Sequence, residues 1–155
     1  MSYEILKFLH VLGAIVILGT GTGIAFFMLA AHRTGNARFI GKTAVVVVQA
    51  DMVFTATAVA IQPITGYFLI RHIGVPLSEG WVAASLVLYL VAGVFWLPVV
   101  WIQARMRDIA LEAARAETPL PPGYHRLFRT WFIFGFPGFG AVLLIVWLMI
   151  AKPGF

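Results

Sequence analysis

FLHVLGAIVILGTGTGIAFFMLA, residues 8–30, runs past twenty residues with no acidic or basic side chain other than His10. A bilayer core of about 30 Å needs about 20 apolar residues at a rise of 1.5 Å each, so this stretch can cross it as one helix. The hydrophobic region of a cleaved leader stops after about 7 to 15 residues, which favours a retained span. Within that span one imidazole has to be explained. His10 follows Lys7 by three residues, about one helical turn, so the two project from a similar face near the beginning of the helix. A polar group at such a depth is costly in lipid and normally faces other helices or a cofactor, which makes His10 the leading candidate for a site.

The rest of the chain has the same character. Of 155 residues 61% are hydrophobic and 11% charged, a balance that belongs to an integral membrane protein and not to a soluble domain. Four apolar segments reach spanning length, at about 5–31, 43–70, 81–103 and 127–151. The expectation is therefore an all-α, integral membrane four-helix bundle, one transmembrane domain over 1–155. The net charge of +5 does not indicate nucleic acid, because the cations sit at the ends of apolar runs and form no continuous stripe. Absence of cysteine excludes disulfides, thiolate metal sites and thiol catalysis.

The connections set the expected orientation. HRTGNARFIGK (32–42) reads as a short basic loop, and RHIGVPLSEG (71–80) as a glycine and proline turn. ARMRDIALEAARAETPLPPGYHR (104–126) reads as a helix continuing beyond the membrane to about Ala116, stopped by TPLPPG. Arg33, Arg38, Lys42, Arg105, Arg107, Arg115, Arg126 and Arg129 lie on one side, against Lys7, Arg71 and Lys152 on the other. The positive-inside rule then places both termini on the periplasmic side of a bacterial inner membrane. The expected surroundings are the lipid bilayer, with a homo-oligomer or larger membrane complex open.

Several features call for a functional or a packing explanation. GTGTG (19–23) follows no strand and lies inside an apolar helix, so it is not a dinucleotide loop. Gly19 and Gly23 instead form a smooth strip for another helix backbone or a flat macrocycle. Prolines in QPITG (62–66), FWLPVVW (95–101) and GFPGFG (135–140) free backbone carbonyls inside three spans, either bending the helices or shaping a cavity between them. Gln62 and Asp51 are further polar groups within the second span, and Asp51 is its only carboxylate. Gln49, Thr55, Arg105 or Arg129 are candidate partners for Asp51; otherwise it is protonated and takes part in proton movement. A b-type haem needs one or two axial imidazoles, an apolar slot and cationic groups for its propionates. His10 as iron ligand, His72, Lys7, Arg71 and Lys152 could provide these at the end of the bundle that holds the termini. No serine triad, zinc spacing or carboxylate pair supports hydrolytic chemistry.

LKFLHVLGAIVILGTGTGIAFFML at the start, QADMVFT and QPITG in the second span, LYLVAGVFWLPVVWIQARMR in the third, and RTWF with LMIAKP at the end carry a resemblance over nearly the whole chain. They resemble a family of bacterial predicted integral membrane proteins with no assigned function. More distantly the chain is similar to the membrane-embedded protoporphyrinogen IX oxidase of bacteria and the copper-resistance D proteins, whose first span opens with an element like Lys7-Phe8-Leu9-His10. The oxidases also carry a histidine near the position of His32 and a lysine-proline like Lys152-Pro153. This resemblance implies a four- or five-helix bundle able to hold haem b, with His10 as the first candidate ligand. Where the oxidases have a lysine in the third span this chain has Ser85, and their Asn-Glu-x-Pro is reduced to Gly135, Phe136 and Pro137. Those departures count against the oxidase reaction and leave haem binding as the expectation. The alternatives are a non-enzymatic membrane subunit or scaffold in which His10 and Asp51 only fix helix packing, and a transporter of a small solute or metal ion.

Overall fold

Four long helices make up the fold, in a computed structural model that describes residues 2–154. Helix α1, Tyr3–Arg33, closes on Thr34, whose hydroxyl and N–H both return to the Ala31 carbonyl at 2.7 and 3.1 Å. Gly35 then takes φ +64°, a left-handed value that disfavours any residue with a Cβ. Asn36 starts the next helix, its Oδ1 accepting the Phe39 N–H at 3.0 Å. Helix α2 runs Ala37–His72. The stretch 32–42, expected as a loop, is thus a turn of three residues, with Arg38 and Lys42 on the opening turns of α2. The Asn36 cap satisfies an orphan helix donor, and exposed cations do not oppose a helix.

Helix α3, Gly80–Arg115, has 36 residues, which reach roughly 54 Å and exceed a bilayer core by several turns. Past its end Glu117 adopts φ +53° and the Thr118 N–H closes back on the Ala113 carbonyl at 3.0 Å. Helix α4, Pro122–Ala151, opens with proline in its first turn, where the missing N–H is no loss. All four helices are long and apolar enough to cross a bilayer, and no strand occurs among the described residues. The all-α expectation therefore holds.

The core sits in the half of the bundle nearer the basic connections. Each helix contributes three side chains: Ile24, Met28 and Ala31; Ile40, Ala44 and Val47; Ile102, Met106 and Ala110; Tyr124, Phe128 and Trp131. Spacings of three and four residues place each triplet on one stripe of its helix, so four stripes meet along a common axis. The half nearer the termini holds only a small cluster, Ile70, Trp81 and Val82, around the α2–α3 turn. Elsewhere that half shows large apolar side chains such as Leu90, Phe136, Trp147 and Ile150 outward, the surface a lipid environment covers.

Helix α2 changes neighbours partway along. Its first arm, Ala37–Ala50, packs mainly against α3, and its second arm, Ala56–His72, packs against α1. Between the arms lies a single π-helical turn, Asp51–Thr55, in which the Ala56 N–H reaches back five residues to the Asp51 carbonyl. Such a turn inserts an extra residue per coil and reorients the helix beyond it. Past the π turn α1 pairs with α2 and α3 pairs with α4, and the two pairs meet closely only near the α2–α3 turn and at isolated side-chain contacts.

Candidate functional site

His10 lies where α1 crosses the second arm of α2, against the QPITG segment. Its Nδ1 is 2.9 Å from Thr65 Oγ1. The Thr65 hydroxyl has one proton and lies 3.0 and 3.1 Å from the carbonyls of Ile61 and Gln62, to which it donates. With that proton on a carbonyl, the hydroxyl accepts from His10 Nδ1–H, the tautomer that leaves the Nε2 lone pair free. Gly66 makes room for the ring: a methyl group there would stand 3.2 Å from His10 Cε1. One turn away Gln62 Nε2 donates to the His10 carbonyl at 2.8 Å and passes over Gly13, where a Cβ would come within 2.6 Å of that amide nitrogen. Two short motifs from different spans, HVLG and QPITG, thus interlock.

Pro63 in the same segment removes the N–H that the Val59 carbonyl would otherwise accept. Tyr89 of α3 supplies the replacement, its hydroxyl donating to that carbonyl at 2.8 Å. Deep in a bilayer a free carbonyl costs several kcal/mol, so this bond answers the proline and ties the two helix pairs together.

The other residues expected around a haem are dispersed around the rim. His72 is exposed, with Nδ1 donating to the Phe68 carbonyl of its own helix at 3.2 Å and its ring 6.4 Å from that of Tyr3. It stands seven residues beyond Thr65, roughly 10 Å along α2. Lys7 Nζ sits 5.9 Å from the Tyr3 ring centroid and Lys152 Nζ 5.5 Å from that of Trp81. Arg71 is exposed. The structure brings Gln62 to His10 and leaves His72, Lys7, Arg71 and Lys152 separately placed at the same end of the bundle. No cluster of three or more metal-ligating side chains occurs among the described residues.

At the opposite end His32 is committed to packing. Its ring stacks on Phe128 at 3.6 Å between centroids and its Nδ1 is 3.3 Å from the Tyr124 hydroxyl, with His125 5.8 Å away. The glycine strip also departs from expectation: added Cβ atoms at Gly19 and Gly23 would meet nothing within 4 Å, so no helix of this chain uses it.

Asp51 opens the π turn and is 3% exposed. Of its candidate partners, Gln49 is exposed, and Arg105 and Arg129 make no ion pair with it; the one salt bridge among the described residues joins Arg107 to Asp108. Its contact is the Trp96 indole of α3, Nε1 to Oδ1 at a long 3.4 Å, while Oδ2 and the equally buried Thr55 hydroxyl have no partner. Gln103 Oε1 and Trp131 Nε1 are two further buried polar atoms without partners. Thr65, Tyr89 and Gln103 are polar residues of these seams that the sequence does not single out. Thr65 three residues after Gln62, in a span with a proline, was the available signal for the first.

Four membrane-length helices and a polar seam between two of them define a small multi-pass integral membrane protein. The family described as Predicted integral membrane protein (DUF2269) matches residues 4–153, and the chain belongs to it. No curated protein and no solved structure matches.

Proposed function

We propose that this protein binds haem b at His10, in a redox or haem-handling role within a bacterial cytoplasmic membrane. The observation that carries the reading is the His10–Thr65 bond above Gly66. An imidazole that is to hold a metal is commonly fixed at its second nitrogen by an acceptor, which sets the tautomer and would leave the other lone pair free for a haem iron. His10 is the only one of the four imidazoles within the apolar zone so arranged; His32 is stacked, and His72 and His125 are exposed. Lys7, Arg71 and Lys152 would offer cations for propionates at the same end, and His72, roughly 10 Å along α2 from Thr65, would be a further ligand only after leaving its Phe68 contact. Bound haem would supply a one-electron couple. The chain's own part is to hold the imidazole through Thr65 and to fix the backbone beneath it through Gln62.

The absorption spectrum of protein purified from haem-replete cells tests this directly. The expected result is a haem b spectrum that His10→Ala abolishes, Thr65→Val shifts and His125→Ala leaves unchanged. A colourless preparation that also fails to bind added hemin overturns it.

A second reading has its own support, since the Gln62 bond to the His10 carbonyl and the Thr65 bond to its ring also lock α1 to α2 without any cofactor. On that reading the protein is a small membrane subunit, and His10→Ala lowers stability while wild type shows no haem spectrum. The orientation we infer from the charge count places the termini in the periplasm. Reporter fusions at both ends check it: a reporter active only in the cytoplasm stays silent at each terminus.

A further inference from the structure

We propose that Asp51 is a proton-exchange site in the membrane interior, a carboxyl that carries its proton at neutral pH and releases it reversibly. The proposal does not depend on haem.

The first ground is isolation from compensating charge. The π turn packs against α1 and the two arms of its own helix and meets α3 at Trp96, and none of these carries a charged or titratable group at its depth. Between His10 and His32 α1 has none; between Lys42 and Tyr67 α2 has none but Asp51; between Tyr89 and Arg105 α3 has none; between Arg129 and Lys152 α4 has none. Lys42, the nearest cation along its own helix, is nine residues away, roughly 13 Å. An ionised carboxylate buried to 3% in that zone would stand without a counter-charge, a state that costs several kcal/mol and that protonation relieves.

The second ground is local geometry. Within the π turn Met52, Val53 and Phe54 face outward at 44, 60 and 55% exposure, while Asp51 and Thr55 turn inward. The widened coil therefore presents two polar groups on one inner face. Trp96 engages Oδ1 only, so Oδ2 is left as the proton-bearing oxygen, with the unpartnered Thr55 hydroxyl on the same turn as the relay group.

The third ground is position. Asp51 stands where α2 leaves α3 for α1, at the boundary between the packed half and the half in which the helix pairs separate. A carboxyl sealed inside the twelve-residue core would only be an internal acid. One at the edge of that core borders the less packed half, the side from which exchange has to come.

The chain has two aspartates, and Asp108 is exposed and paired with Arg107 at 2.8 Å. Protein labelled with carboxyl-13C aspartate and reconstituted in vesicles therefore reports Asp51 by infrared difference spectroscopy without any substitution. The expected spectrum at neutral pH has one protonated-acid carbonyl and one carboxylate, the acid band shifting in D2O and converting reversibly to carboxylate as pH rises. Asp51→Asn should lose the acid band alone. Two carboxylates at neutral pH overturn the proposal, and so does an acid band indifferent to D2O and to alkaline pH.

Dicyclohexylcarbodiimide gives a chemical readout. The acid proton moves to a carbodiimide nitrogen, the carboxylate oxygen bonds the central carbon, and an oxygen-to-nitrogen acyl shift leaves a stable N-acylurea with no leaving group. One adduct is expected, on the peptide containing Asp51, forming more slowly as pH rises in step with loss of the acid band. An adduct that forms equally at all pH values, or none at any, overturns the exchange site. Neither measurement uses haem, so failure here leaves the His10 reading standing, and a colourless preparation leaves this one standing.

Discussion

The half of the bundle at the basic end buries three side chains from every helix, whereas the half at the termini joins its helix pairs through a small apolar cluster at the α2–α3 turn and the Tyr89 bond to the Val59 carbonyl. In lipid no hydrophobic force draws apolar helices together, so association has to come from close packing or from hydrogen bonds. This molecule uses the two in different places. The packed half has little room for anything else, and the other half keeps its polar atoms, His10, Gln62, Thr65 and Tyr89, for specific partners. Asp51 marks the border.

The contrast is broken most severely by removing a core ring. Phe128→Ala deletes a side chain stacked on His32 and packed with Tyr124 and Trp131, and a cavity of that kind costs about 3–5 kcal/mol. Phe136→Ala, on a side chain 66% exposed toward lipid, should change stability by about 0.5 kcal/mol or less. Unfolding of both variants in bicelles measures the difference. Equal losses would show that the two halves are not built differently.

The terminal half is sharpened by Tyr89→Phe, which removes the donor to the Val59 carbonyl and nothing else. Hydrogen bonds between membrane helices average about 0.6 and reach about 1.7 kcal/mol, and the loss should lie toward the upper figure because proline leaves that carbonyl no other donor. Pro63→Ala restores a backbone N–H. In that background Tyr89→Phe should cost less than in wild type, and a double-mutant cycle reads the coupling.

Much of the fold was legible because a bilayer demands long apolar runs, and four such runs admit one reading. The core stripe of α4, Tyr124, Phe128 and Trp131, is less plain, because Tyr124 falls in the stretch 104–126 that reads as a connection. The change of partner in α2 was not legible. Between Thr43 and Ile70 the apolar residues are interrupted by threonines, glutamines and Asp51, and nothing in that pattern marks a turn of different pitch. Asp51 stood out as a lone acid, but its partner did not, because charge complementarity pointed to arginines while the structure offers the Trp96 indole. His10 was found by its rarity, and Thr65 was missed because threonine is common in membrane helices and bonds to its own backbone. The beginning of α2 is hidden in the sequence because Arg38 and Lys42 resemble loop residues, while the one start signal is the single Asn36 cap.

A further contrast separates glycines that look alike in sequence. Gly13→Ala forces a methyl group to within 2.6 Å of Gln62 Nε2, and the amide can move aside only by giving up its bond to the His10 carbonyl. Overpacking of that kind costs about 1–3 kcal/mol. Gly19→Ala and Gly23→Ala place their methyl groups in open space, so stability should change by about 0.5 kcal/mol or less, with alanine's better helix propensity acting in the favourable direction. The particle mass in detergent should be unchanged as well. A fall from dimer to monomer mass in Gly19→Ala would instead mean that a second copy covers this strip, as closely approaching helices do at glycines four residues apart. The strip would then belong to an interface between copies, and its openness within one chain would be the space that the partner helix fills.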